Sequence, residues 1–326
     1  MKSSCGVIGE RTSTRTFSVL LLIVLLLAAC QPKPSSTPTA TISSAIPSSI
    51  PSPTSTYLPK PTQTALATPV PVSASESAPL TAISLDQVMA TLIDGVDWYL
   101  LIEDQEGKTI LNQNADASFH PASMIKVPTA MVVLKIMENE GKSLADIQSY
   151  GVSGRNFAAL LEAMIVQSEE GATDALEFFA RGDNRLRKIL DGWEISQTTY
   201  DPRRSSAGNL IQVLRMLDSG EVLTEEYRGY LLDLMGKESE NDGTLLGYLL
   251  EAIPDCQFFN KRGTLLNPTI AADMGILQCE QQRWYLVVAG TPAAGYQTTF
   301  EDIQASIESF ALAFGEYLRP QLAIAD

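Results

Sequence analysis

Strand-like apolar patterning runs through 96-VDWYLLIED-104 and 108-KTILNQN-114, with Gln105-Glu106-Gly107 between them as a hairpin turn. Before them, Ser84 to Ile93 reads as a short amphipathic helix with Ser84 as its N-cap. The period then lengthens. Helices are predicted from Ala122 to Asn139, from Asn156 to Gln167, and over 173–192, 206–218 and 224–235. Strand-like runs return at 256–263, 270–279 and 284–290, and a last helix falls near 299–317. Strands, a long helical block, then strands and a helix is not an alternating βα order, so a doubly wound parallel sheet is disfavoured. The pattern predicts an antiparallel sheet assembled from both chain ends, with a helical subdomain inserted at about 120–250. No internal repeat interrupts it.

The first residues carry a different signal. Lys2, Arg11 and Arg15 precede an apolar run from Phe17 to Ala29. A membrane-spanning helix needs about 20 apolar residues, so this run predicts a cleaved export signal over residues 1–29. It ends in Leu27-Ala28-Ala29-Cys30, which resembles a bacterial lipoprotein signal in which Cys30 becomes the lipid-bearing first residue. The alternative is a plain signal followed by a chance cysteine. On the lipoprotein reading the mature protein is anchored by the lipid on Cys30 to the outer face of the bacterial cell membrane, since two or more acyl chains give stable attachment. Residues 30–79 are almost entirely Pro, Ser, Thr and Ala beyond the cysteine. Such a segment buries too little apolar surface to offset chain entropy and predicts a disordered tether, with a full reach on the order of 150 Å in polyproline form. The folded domain is expected over 80–326, long enough for one sizeable core.

Charge and cysteines narrow the picture. Losing the net +2 of Lys2, Glu10, Arg11 and Arg15 takes the formal charge from −15 to −17. A strongly acidic surface repels phosphate backbones, which argues against nucleic acid as a partner. Cys5 leaves with the signal and Cys30 carries lipid, so Cys256 and Cys279 remain. If 256-CQFFNKRG-263 and 270-IAADMGILQC-279 form a hairpin turning near Leu266-Asn267-Pro268, the two cysteines face each other across the ladder. Exported proteins keep disulfides, and a cross-strand bond is predicted. The alternative is two half-buried thiols.

The candidate chemistry lies in 120-HPASMIKVPTAM-131. His120 precedes a proline and so is extended, which puts Ser123 in the first turn of the following helix. Lys126, three residues on, shares its face at about 5–6 Å between Cβ atoms. The helix's positive end and any second cation would push a proton off Lys126, making it a base for the Ser123 hydroxyl. A Ser-His-Asp triad would need the chain's one histidine, His120, beside the serine. One histidine without clustered cysteines leaves no zinc site, and neither a metal nor a cofactor is expected. Trp98, Trp193 and Trp284 read as core residues rather than sugar platforms. Arg203-Arg204 beside Asp201 reads as a surface ion-pair cluster.

With these residues in view, the chain resembles the penicillin-recognising serine enzymes, and most closely the class A β-lactamase-like proteins, whose signature is Ser-x-x-Lys, Ser-Asp-Asn and Lys-Thr-Gly in that order. The stretch 121-PASMIKVP-128 matches the first, 164-MIVQSEEGATDAL-176 resembles the second in context, and 260-NKRGTL-265 resembles the third. The resemblance spans roughly residues 84–318. It implies an α+β fold in three α/β/α layers: an antiparallel five-stranded sheet flanked by helices, with an inserted all-helical subdomain. It also implies Ser123 as acylated nucleophile and Lys126 as its proton acceptor. Ser168 would shuttle a proton to the leaving nitrogen. Lys261 would bind Ser168 and a substrate carboxylate, and the backbone N–H groups of Ser123 and Thr264 would form the oxyanion hole.

Three departures matter. Glu170 stands where the family has an asparagine; ionised, it only accepts hydrogen bonds, and its charge favours the Lys126 ammonium. Arg262 replaces a threonine that helps hold a carboxylate, a task an arginine performs bidentately, with Gly263 beside it on the substrate side. The loop that carries the family's deacylating glutamate, before 198-TTYDPRRSSAGNL-210, is shortened. Trp193-Glu194 superficially resembles the family's Trp-Glu pair, which makes Glu194 a candidate for that base, although 185-RLRKILDGWEI-195 reads better as the end of the preceding helix. The implied function is a monomeric serine hydrolase that opens β-lactam amides through a Ser123 ester. The alternatives are a DD-peptidase, penicillin-binding protein or esterase acting on a cell-wall peptide with slow deacylation, and a catalytically impaired wall-binding or sensor module.

Overall fold

The structure, a computed structural model, describes residues 83–180, 183–240 and 245–322. The expected signal at 1–29, the lipid-bearing Cys30 and the tether over 30–79 lie outside the described residues. Five strands form the central sheet: β1 (Val96–Asp104), β2 (Thr109–Gln113), β3 (Gln257–Leu266), β4 (Thr269–Cys279) and β5 (Gln282–Pro292). Their order is β2-β1-β5-β4-β3, antiparallel throughout, so the first hairpin and the last three strands meet in one sheet. The central strands alternate strictly. Leu101, Met274, Ile276, Val287 and Ala289 face one hydrophobic cluster, while Leu100, Ile102, Leu277, Leu286 and Val288 face another. A sheet buried on both faces needs a helical layer on each.

One layer holds α1 (Leu85–Met89) and the long α8 (Phe300–Leu322), whose Ile303, Ile307, Phe310 and Phe314 are buried against the sheet. The other is built from α2 (Lys126–Asn139), α3 (Phe157–Ile165), α4 (Glu170–Phe179), α5 (Asp183–Gly192), α6 (Ala207–Ser219) and α7 (Glu225–Glu240). This is the expected three-layer α+β arrangement. The run read as one helix over 173–192 is two, α4 and α5, with helix-poor Gly182 between them in sequence. One-turn helices at Leu144–Ile147 and Leu249–Ala252 escaped the pattern, being too short to show a period.

Two features set up the site. Helix α2 is buried nearly all round, from Lys126 through Met137 with only Lys135 partly exposed, as a helix in the middle of a core must be. Strand β3 is an edge of the sheet, and it reverses into β4 through a cis Asn267-Pro268 bond. The predicted hairpin register holds: Gln257 faces Gln278, and Cys256 is disulfide-bonded to Cys279.

Packing between the sheet and the helix layer is close at Gly290 of β5. A Cβ there would lie 2.6 Å from the Trp98 ring and 2.7 Å from Ile303 Cγ2, both in fully packed surroundings. Gly290→Ala is therefore expected to lower unfolding free energy by about 1–3 kcal/mol through overpacking, measured by urea denaturation. A change within about 0.5 kcal/mol would contradict this packing.

Candidate active site

Ser123 lies in a 3₁₀ turn, Ala122–Ile125, immediately ahead of α2 rather than inside its first turn. The turn is held by its neighbours. Ala122 has φ +47°, a left-handed backbone that alanine rarely adopts, and its N–H donates to His120 Nδ1 at 3.0 Å. His120 thus braces the turn with the nitrogen a catalytic triad would need. On the edge strand, Gly263 of β3 sits so close that a Cβ would lie 2.7 Å from the Pro121 carbonyl and 3.3 Å from Ala122 Cβ. That contact brings Gly263 and Thr264 alongside the half-buried Ser123.

Lys126 opens α2 and is fully buried. Its Nζ donates to the Ser168 carbonyl at 2.6 Å and to Ser168 Oγ at 3.2 Å, and meets Glu170 Oε1 at 2.7 Å. Ser168 also has a left-handed backbone, φ +57°, which turns both its oxygens toward the amine. Strained non-glycine residues cluster at functional sites; here two flank the serine–lysine pair. Burial pushes the Lys126 amine below its ordinary value and wins over the opposing pull of Glu170, with Arg203 adding to the lowering. Glu170 is pushed up by burial, but Lys126 and Arg203 outweigh that and hold it below the usual carboxylate range.

Arg203 corrects an expectation. It is not part of a surface cluster with Asp201, since its guanidinium reaches Glu170 Oε2 at 3.0 Å and Glu177 at 3.8 Å. The reason is a short ribbon in which Tyr200 pairs with Arg203 and Thr199 with Arg204 around the cis Asp201-Pro202 bond. The Tyr200 hydroxyl, 3.2 Å from Thr129 Oγ1, ties that ribbon to α2.

Lys261 and Arg262 also differ from expectation. Fully buried Lys261 donates to Glu238 Oε1 at 2.9 Å, and Arg262 Nε donates to the same oxygen at 3.1 Å. Among the described contacts Ser168 is held by Lys126, not by Lys261. Burial lowers Lys261, Glu238 resists, and the nearby charge of Lys126 lowers it further, which places the two lysines in one electrostatic site. Glu238, at the end of α7, is 1% exposed and had no sequence signal. Beneath this group Asp273 is buried; it accepts from Asn260 Nδ2 at 3.0 Å and from the Leu246 N–H at 3.2 Å.

Glu194 is not brought to the serine. It is exposed just past α5 and lines a separate groove with Trp193, Lys135, Gln212 and Arg215. A catalytic base must reach its proton directly or through one water, and the groove that Glu194 lines includes none of Ser123, Lys126, Ser168 or Lys261. Trp98 and Trp284 are core residues, as read, and Trp193 is half-buried.

The sequence model of the beta-lactamase enzyme family matches residues 84–311. No curated protein matches the chain. Among solved structures, PBP-A superposes with a TM-score of 0.57 at 19% identity, covering 70% of this chain and 94% of its own. A beta-lactamase from Sphaerobacter thermophilus gives 0.59 at 15% identity, covering 70% and 93%. One from Chitinophaga pinensis gives 0.56 at 18%, covering 70% and 96%. At such identities the likeness establishes the fold.

The buried carboxylate beneath the site generates a pH prediction. Burial, aided by Glu238 and opposed by Asn260, raises Asp273 from 3.8 to about 7. Between those values the folded chain holds a proton that the unfolded chain has released. The stability this group contributes is thus full below about pH 4 and is lost as pH rises through about 7. Asp273→Asn removes the dependence. Relative to the variant, the parent is expected to lose unfolding free energy from pH 4 to pH 8 in urea titrations; a difference flat with pH contradicts this.

Proposed function

Because the chain belongs to the beta-lactamase enzyme family, we propose that it is an exported serine hydrolase in which Ser123 attacks the carbonyl of a β-lactam amide and carries the acyl group as an ester. The observation that carries this reading is the buried amine of Lys126, at the head of the helix that follows Ser123 and within 3.2 Å of Ser168 Oγ.

The neutral amine of Lys126 takes the Ser123 proton as Oγ bonds to the carbonyl carbon. The backbone N–H groups of Ser123 and Thr264 receive the oxyanion, a contribution of about 3–4 kcal/mol in such sites. The proton then passes from Lys126 through Ser168 Oγ to the ring nitrogen as the C–N bond breaks. Water must next attack the ester, and that step needs a base. Glu194 lines another groove, and the carboxylate against Lys126, Glu170, is engaged by both Lys126 and Arg203. A carboxylate held below its usual range is a weak base, so the ester is expected to persist. This favours, as a second reading, a penicillin-binding DD-peptidase or esterase that turns over a cell-wall peptide and is trapped by β-lactams. The lipoprotein reading of residues 1–30 supports action outside the cell membrane.

Incubating the full chain with benzylpenicillin is expected to add one drug mass to the intact protein, with the adduct on Ser123 and absent from Ser123→Ala. Folded protein that stays unmodified at high drug contradicts the reading. The ion pairs fix a second outcome. Acylation requires neutral Lys126, so its rate rises with pH through that group's titration. Glu170→Gln removes the carboxylate that favours the ammonium and is expected to move this limb to lower pH. Arg203→Gln removes a cation and is expected to move it higher. Rapid-quench mass spectrometry reads both, and limbs that stay fixed refute Lys126 as the base.

A further inference from the structure

Glu238 is a buried charged group that takes no part in the acyl transfer. One of its oxygens accepts from Lys261 Nζ at 2.9 Å, Arg262 Nε at 3.1 Å and the Arg262 backbone N–H at 3.4 Å. Its other oxygen has no hydrogen-bond partner among the described residues, although the side chain is 1% exposed. A buried carboxylate with a bare oxygen is expensive. Pairing with Lys261 offsets only part of that cost, and a well-packed apolar pair at such a place is often as stable. The two cations adjoin Gly263, whose backbone packs on the turn that bears Ser123. They therefore border the turn that bears the nucleophile, close enough that the charge of Lys126 is felt at Lys261. Uncompensated, Lys261 and Arg262 would form a doubly positive receptor for an anionic group on that donor. Glu238 instead presents a carboxylate of the protein's own to both.

We propose that Glu238 is a specificity determinant of this site: it pre-empts the place of a substrate carboxylate on Lys261 and Arg262, so acyl donors are recognised through their uncharged parts. The proposal rests on the acyl-enzyme reading for its meaning but not for its test. A cation pair that already shares a carboxylate of the protein gains little from a second one, which must also approach the negative charge of Glu238. A purely structural role would make Glu238 the counter-ion that lets Lys261 be buried, and its loss would then weaken every ligand alike.

The test reads binding without chemistry. The full chain carrying Ser123→Ala is titrated calorimetrically with benzylpenicillin, which bears a carboxylate, and with its uncharged methyl ester. The two affinities are expected to agree within about threefold, and adding Glu238→Gln is expected to tighten the anion by about tenfold or more while leaving the ester within about threefold. Three results overturn the proposal: an anion preference of about tenfold or more with Glu238 in place, equal shifts of both probes in the variant, or no binding of either probe to either protein. The first comparison leaves position 238 untouched, so it decides even if Glu238→Gln fails to fold. If the predicted pattern appears while Ser123 of the parent is never acylated, the hydrolase reading fails and the recognition claim stands.

Discussion

An amine removed from water is the interaction on which the site depends. Lys126 begins a helix whose other residues are almost all core, so the fold that buries Val127 to Leu134 takes the lysine with it. Taking a charge out of water disfavours the charged form, and this pushes the amine toward the neutral state in which it can accept a proton. Glu170, 2.7 Å away, pulls the other way. Burial prevails on balance, and Arg203 adds to it through its nearby positive charge while it engages the other oxygen of Glu170, Oε2.

The site holds two such compositions side by side: Lys126 with Glu170 and Arg203, and Lys261 with Glu238 and Arg262. Each joins one buried lysine, one carboxylate and one more exposed arginine. The pairs differ in their access to water. Glu170 is 56% exposed at its side chain and can rearrange when a ligand enters, whereas Glu238 is sealed. On the proposed function, the first acts on the chemistry of the serine, and the second on which ligands are bound beside it. Below both, Asp273 is raised chiefly by its burial, and the charge of Glu238 adds to the rise.

Local patterning made the scaffold legible. Two-residue and helical periods gave the five strands and most of the helices, and the hairpin register followed from the turn at Asn267-Pro268, which placed Cys256 opposite Cys279. Ser123, Lys126 and Ser168 were readable because they lie in short motifs whose spacing survives. What stayed hidden was contact across the fold. Glu238 sits in 237-KESEND-242, a polar run in which nothing local says which side chain turns inward. Arg203 looked like surface because its inward turn comes from the ribbon with Thr199 and Tyr200, a tertiary feature. Glu194 beside Trp193 matched a familiar dipeptide, yet the helix that ends at Gly192 aims it at another groove.

The titration of Lys126 itself bears most directly on the central claim. With lysine labelled at ¹³Cε and the signal assigned by Lys126→Arg, an NMR pH titration of the free protein reads that amine alone. The account predicts a midpoint clearly below the ordinary lysine value of about 10.4. A midpoint at or above that value would show Glu170 outweighing burial, and the serine would then be without its base.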